Sequence, residues 1–427
     1  MRRNTAWAFA GNSVYAACQW AVFVLLVKTL TADEAGGFAY AIAVTGPIFV
    51  LANVRLRNLL ATGIGSPRGL TDYLNARLLT TAAAVTVSLG LGIVVSHRVG
   101  SFSVLAVMTL GRACDAMSDL CHGLFQRELD MRSPALGLSI NGVLSVGLVG
   151  LALAVRPTLL TATAAYAAGS FVATACWDLP RAARLRSSLP ALAFRRGAIR
   201  GPIASAWRLI TTALPLGLSS AIGSVQTNLP RYVIAAYLGS AMLAKFAAIS
   251  YVTMVGHLIV NATSQAALPL LARDAQSSDP RYRTRLGGLV AGTVVLGAVT
   301  VIGTAAIGGP VLTLIYGGDY AEYAGVLLWL VVATVVTFAS VFLGTGTTAR
   351  HRFVAQLIIT TTSLVVVGIT TGPFVSRYGL VGAAWALAAG AVVELSAYVV
   401  LTLRDLRSSF AVVPSVVAEA LTGGARE

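Results

Sequence analysis

The segment "SVLAVMTLGRACDAMSDLCHGLFQ" (103–126) carries Arg112, Asp115 and Asp119 at spacing i, i+3, i+7. On an α-helix that spacing puts all three on one face, which His122 extends. Each charge left unpaired at mid-bilayer would cost about 2.5–3.5 kcal/mol, so the face must turn toward protein or a wet cavity. Two chemistries fit: a structural ion pair of Arg112 with Asp115, or ion coupling by a titrating Asp115 or Asp119. A second chemical stretch is "VQTNLPRYVIAAYLG" (225–239), where Asn228 and Arg231 flank Pro230. A guanidinium is a planar donor fork suited to phosphate. Arg231 can serve that purpose between helices, or it can snorkel to the lipid headgroups. Arg55 and Arg57, in "LANVRLRNLLA" (51–61), pose the same choice. Two residues apart on a continuous helix, they would point about 200° away from each other, so at most one could face a shared cavity.

Neutral polar stripes accompany these charges. His257, Asn261, Ser264 and Gln265 share a helical face, as do Asn12, Tyr15 and Gln19. Such stripes either line a sugar-sized cavity or hydrogen-bond between helices. Glu394 lies in the last apolar run with no obvious local partner; it is a buried carboxyl or a coupling site. There is no GxxxxGK[ST] loop for ATP and no zinc-type histidine cluster. Cys18, Cys114, Cys121 and Cys176 form no CxxC pair and read as small packing residues. No cofactor and no metal are expected.

The elements that must position these groups follow from composition. Of 427 residues, 56% are hydrophobic and 11% charged, whereas a soluble domain carries about a quarter charged residues. The chain therefore reads as an all-α polytopic membrane protein. Its formal net charge of +15 does not imply nucleic acid, because the cations sit in short segments between apolar runs, the positive-inside pattern. About twelve runs are long enough to cross, near 5–27, 37–58, 73–95, 102–125, 135–155, 158–178, 208–238, 242–268, 286–308, 322–344, 353–375 and 379–402. Arginines such as Arg68, Arg127, Arg132, Arg181, Arg195, Arg196, Arg200, Arg285, Arg350 and Arg352 then fall on one side. This asymmetry predicts both termini on the cytoplasmic side and an even number of spans. A central loop near 179–206 separates two six-span halves, 1–190 and 191–427. Between them, "LTADEAGGFAYA" (30–41) lies over "LGSAMLAKFAAI" (238–249); the Phe-Ala pairs and Asn53/Asn261 share an offset of 208. Parallel repeats of this kind place a transport site where they meet. Pro215 and Pro230 are expected to bend the seventh span.

The run "LVKTLTADEAGGFAYAIAVTGPIFVLANVRLRNLLAT" (26–62) resembles the second-span signature of bacterial polysaccharide repeat-unit flippases of the multidrug/oligosaccharidyl-lipid/polysaccharide exporter superfamily. "GLFQRELDM" (123–131), "NLPRYVIAAYLG" (228–239) and "QAALPLLAR" (265–273) are similar to further segments of that family. The resemblance implies two pseudo-symmetric six-helix bundles around a cationic cavity. It also implies alternating access that moves an undecaprenyl-pyrophosphate-linked oligosaccharide from the cytoplasmic to the outer leaflet of the bacterial inner membrane, for surface polysaccharide synthesis. Arg231 and Arg57 are the positions it suggests for the pyrophosphate. The expected partners are this lipid-linked substrate, membrane lipids, and a neighbouring glycan polymerase and glycosyltransferases. Two other functions remain open: an ion-coupled drug or metabolite exporter on the same fold, and a membrane glycosyltransferase or polymerase. Against the last, the largest outer candidate loop, 308–323, offers only Asp319 and Glu322.

Overall fold

A computed structural model describes residues 2–62, 70–99, 102–187, 203–276, 280–350 and 352–423. The readings on Arg68, Arg195, Arg196 and Arg200 lie outside the described residues. Within them the chain is helical, with no strand. The first half contains α1 (Arg2–Thr29), α2 (Ala32–Asn53), α3 (Leu56–Thr62), α4 (Leu70–Val99), α5 (Phe102–Arg127), α6 (Arg132–Val155), α7 (Leu159–Ala173) and α8 (Leu179–Ser187). A π-helical turn, Thr174–Asp178, joins the last two. The second half contains α9 (Ile203–Tyr237), α10 (Ser240–Val252), α11 (Met254–Gln276), α12 (Arg281–Tyr316), α13 (Ala324–Ala349) and α14 (Phe353–Gly423).

Nine helical segments among the described residues are long and apolar enough to cross a membrane. α5 and α9 are as long but carry charged residues in their interiors. α14 is two crossings: at Gly379 the backbone takes φ 59° and ψ −137°, and the helix folds back on itself. Its arms are antiparallel, with Gly390 against Val367 and Gly382 against the Phe374 carbonyl. That φ belongs to the left-handed region, which a glycine enters without steric penalty. α9 runs continuously across Pro230, so the bend expected there does not break the helix.

Local chemistry fixes the helix starts. Thr31 caps α2: its hydroxyl accepts from the Glu34 amide at 3.3 Å while Glu34 Oε2 accepts from the Thr31 amide at 3.1 Å. This reciprocal box satisfies two otherwise orphaned donors. α2 starts at Ala32 and α10 at Ser240, a difference of 208 (240 − 32), the offset read in the sequence. Phe38 and Phe246, the residues that carry that offset, are both buried, 1% and 2% exposed. They belong to one apolar core that runs through both halves and includes Phe23, Met108, Tyr166 and Leu243.

Lipid tails are as apolar as leucine, so close approach rather than water exclusion must hold such helices together. α2 and α10 meet where Gly36 has no side chain: a Cβ there would overlap the Ser240 carbonyl. Asp33 accepts from the Ser240 hydroxyl beside it. Trp20 Nε1 of α1 donates to the Tyr316 hydroxyl of α12 at 2.8 Å. These contacts seal the two halves together at the end that carries the α1–α2 and α9–α10 turns.

Candidate functional site

The polar face of α5 meets α1, α6 and α7. Arg112 Nη1 lies 3.8 Å from Asp115 Oδ2, and the two side chains keep 22% and 23% of their surface accessible. Asp115 Oδ1 accepts from Asn141 Nδ2 of α6 at 3.2 Å. Asn141 Oδ1 in turn accepts from Ser145 at 3.2 Å. On the other flank the Tyr166 hydroxyl donates to Gln19 Oε1 at 3.1 Å and hydrogen-bonds Tyr15. Arg112 thus has one distant carboxylate, and its Nε makes no hydrogen bond.

A second guanidinium approaches from the other half. Arg231 Nη1 donates to Asn228 Oδ1, one turn back on α9, at 3.0 Å. Asn228 is 8% exposed and passes its own amide to the Ser224 carbonyl at 2.8 Å. Tyr232 anchors this stretch of α9 to α2 by donating to the Ala43 carbonyl. Among the described residues no carboxylate pairs with Arg231, and its Nε lacks a partner. Tyr251 of α10 lies within electrostatic reach of both Arg231 and Arg112, and its ring packs on Phe23 of α1 at 5.1 Å. Arg112 of α5 and Arg231 of α9 thus each lie within electrostatic reach of Tyr251, and Asp115 is loosely held beside Arg112. A guanidinium with donors to spare, as on Arg231, is suited to an anion with more than one oxygen. The sequence reading gave Arg112 no anion-binding role and did not single out Tyr251. Arg112 gave a signal in the α5 stripe; Tyr251, one aromatic among many, gave none.

The other charges settle differently. Asp119 stands between two arginines: Arg77 Nη2 at 2.8 Å and Arg57 Nη1 at 3.5 Å. Arg57 Nε also donates to Gln126 Oε1 at 3.2 Å, and Arg77 Nη1 donates to Asn53. Arg57 and Asp119, foreseen in separate roles, are thus brought together. The angular argument about Arg55 and Arg57 does not hold, because the helix is interrupted between α2 and α3. Val54 and Arg55 take φ of 38° and 52°, a conformation costly for a β-branched residue. Arg55 leaves this break toward the second half and donates to Ser220 Oγ of α9 at 2.8 Å. Gly217 of α9 permits the approach, since a Cβ there would stand 2.9 Å from Val54 Cα.

The neutral stripes divide as well. His257 packs edge-on to Phe338 at 4.9 Å, and Ser264 shares a 2.6 Å hydrogen bond with Thr345, so both turn onto α13. Asn261 and Gln265 remain exposed. Asn12 is exposed and donates back to the Ala8 carbonyl of its own helix at 2.7 Å. Glu394 does have partners: its carboxyl hydrogen-bonds Gln226 and Ser363. Gln226 Nε2 donates to Ser363 Oγ at 2.9 Å, and Ser363 Oγ to the Gly390 carbonyl at 2.8 Å. No cation pairs with it among the described residues.

Comparison with known proteins agrees with this architecture. The model of the family described as "Polysaccharide biosynthesis protein" matches residues 1–274. The capsular polysaccharide biosynthesis protein CapF of Staphylococcus aureus is 24% identical over 405 residues, covering 93% of this chain and 98% of its own. Among solved structures, the lipid II flippase MurJ in an inward closed conformation aligns with TM-score 0.74 at 12% identity, covering 96% of this chain and 92% of MurJ. An inward-facing multidrug resistance MATE family transporter of the MOP superfamily aligns with TM-score 0.71 at 14% identity, covering 95% and 98%. At those identities the likeness is one of fold. The family model, which spans more than half of the sequence, carries the assignment: this chain belongs to the polysaccharide biosynthesis protein family, built on the fold of the MOP-superfamily transporters.

Proposed function

We propose that this protein is a flippase that carries a lipid-linked oligosaccharide, attached through pyrophosphate to undecaprenol, across the bacterial inner membrane by alternating access. The observation that carries the reading is Arg231. It is a half-buried guanidinium with no carboxylate paired to it among the described residues, within electrostatic reach of the same phenol as Arg112 of the opposite half. A cation held within the membrane helices without a counter-charge is costly and is retained where a ligand supplies the anion. The two halves, 1–190 and 191–427, rock about the α2–α10 contact. The termini lie on the cytoplasmic side, and the prenyl tail stays in lipid while the headgroup passes between the halves. The polar side chains Asn228, Asn261, Gln265 and Asn12 serve the glycan, and Arg55 with Arg57 meets the headgroup at the break between α2 and α3.

Ion coupling in this reading rests on Glu394 and Asp115. Glu394 is a carboxyl held by neutral hydrogen-bonding groups with no ion pair among the described residues, and Asp115 accepts from Asn141 with its one cation, Arg112, at 3.8 Å. Asp119, the third candidate, has its charge matched by two arginines and serves to hold the first half together. The family name, and the flippase whose fold this chain shares, support a lipid-linked substrate.

The test is a vesicle assay with purified protein and a fluorescent prenyl-pyrophosphate sugar. Translocation is expected for the pyrophosphate lipid and is expected to fall sharply for the matching monophosphate, which fills one guanidinium fork instead of two. Equal rates for both, or none for either beside export of a cationic dye, would replace this reading with that of a drug exporter.

A further inference from the structure

A second buried polar cluster lies outside the anion site. His122 of α5 and Asp178, the last residue of the π-helical turn, are 2% and 1% exposed. His122 Nε2 stands 3.3 Å from Asp178 Oδ1. Ser118 donates to Asp178 Oδ2 at 2.6 Å and faces the same Nε2 at 3.3 Å. The backbone of α6 closes the group from the third side at Gly137, where a Cβ would stand 2.6 Å from Asp178 Oδ1 and 3.1 Å from His122 Nε2.

The ionisable surroundings are few. Asp115, two turns along α5, is in electrostatic reach of His122, and the Cys121 thiol is in reach of Asp178. α4 contributes Arg77, which is held by Asp119. α8 contributes Arg181, whose guanidinium lies 4.2 Å from the Trp177 ring and donates to Ser133. α6 presents Gly137, which has no side chain. Among the described residues no arginine or lysine forms an ion pair with Asp178.

The electrostatic consequence is simple. With one proton on the imidazole–carboxylate pair the cluster is neutral. Without it, a carboxylate charge stands unmatched in a closed interior, which is strongly unfavourable. Histidine is the side chain whose charge ordinarily changes near neutral pH. The placement gives the proton a mechanical outlet. Asp178 ends a π-turn, a wide and costly helical form that recurs at functional positions, and Thr174 at the start of that turn ties to the Cys114 carbonyl at 3.3 Å. Directly after Asp178 comes α8, the last described helix before the connection to α9 and the second half.

We propose that His122, Asp178 and Ser118 form a proton-binding site that locks the α7–α8 junction: the proton-bound cluster holds the π-turn, and loss of the proton expels the Asp178 carboxylate and releases α8. Proton binding here stands independently of what the protein transports, so it survives if the flippase reading fails.

Two measurements on the full-length protein in lipid nanodiscs test this. The first is NMR of 15N-histidine. The chain has four histidines, and the signal lost in His122→Gln identifies the residue. That signal is expected to pass between protonated and neutral forms across the pH range in which the protein stays folded, and to be displaced in Asp178→Asn. A His122 signal constant over that range, or indifferent to Asp178→Asn, would overturn the proposal. The second is trypsin cleavage at Arg181 and Arg184, read by mass spectrometry as the wild-type rate divided by that of Asp178→Asn. The ratio cancels the protease's own pH dependence. It is expected to rise severalfold from low to high pH; a flat ratio would remove the mechanical half of the proposal. If Asp178→Asn does not fold, Ser118→Ala, which removes one donor to the carboxylate, takes its place in the NMR measurement, and His122→Gln, which removes the imidazole, takes its place in the cleavage ratio with the same expected rise from low to high pH.

Discussion

Arg77 of α4 donates to Asp119 of α5 at 2.8 Å with none of its side-chain surface accessible. The carboxylate is shared with Arg57 of α3, so three helices converge on one negative charge. Removing one member of such a group leaves a buried charge with no partner, which costs about 3–5 kcal/mol.

Asp119→Ala is therefore expected to lower stability by about that amount, read as a marked fall in unfolding temperature in detergent. Arg57→Ala should cost far less, because its side chain is 29% accessible and water can take over its role. An Asp119→Ala protein as stable as the wild type would show that Arg77 finds another counter-charge.

Arg231 should respond in the opposite sense. It makes one side-chain hydrogen bond, to Asn228, and no ion pair among the described residues. Arg231→Ala is expected to leave the unfolding temperature unchanged or raised while abolishing translocation of the prenyl-pyrophosphate sugar. Arg231→Lys keeps the charge but loses the fork, so translocation should be intermediate. Full transport by Arg231→Ala would take this residue out of the mechanism.

Gly36 controls the contact between α2 and α10. Gly36→Val forces the helices apart at Ser240 and is expected to favour the state open at that end. A cysteine introduced at Tyr251 should then react faster with a membrane-impermeant thiol reagent added from that side. Unchanged labelling would mean that the Asp33–Ser240 and Trp20–Tyr316 contacts hold the seal without it.

Glu394→Gln preserves the shape of the cluster with Gln226 and Ser363 and removes its charge. The protein should fold and bind substrate, yet its transport should no longer respond to an imposed ion gradient. A gradient response equal to that of the wild type would leave Asp115 as the remaining carboxylate in that role.

Much of the fold was legible because it depends on local periodicity. Apolar runs near 20 residues define crossings, the Thr31–Glu34 box defines where α2 begins, and the offset between Phe38 and Phe246 relates the halves. The face shared by Arg112, Asp115 and Asp119 was legible for the same reason, since it is set by the pitch of one helix. What each of those residues meets was not. Arg77 gave no sign that it would reach Asp119, nor Gln226 that it would join Ser363 and Glu394. The directions of Arg55 and Arg57 were not legible as helix angles, because a left-handed pair, Val54 and Arg55, interrupts what the sequence presents as one helix.

The sequence by itself determined that this chain is a bundle of membrane helices and where along each helix the costly polar groups stand. Tertiary structure alone decided which of those groups neutralise one another and which remain unmatched. The physical reason is that helix formation satisfies backbone hydrogen bonds within a segment, whatever its neighbours. Charge pairing, in contrast, depends on the angle and depth at which separate helices pack, and these are set by small residues such as Gly36 and Gly217 where two backbones come close.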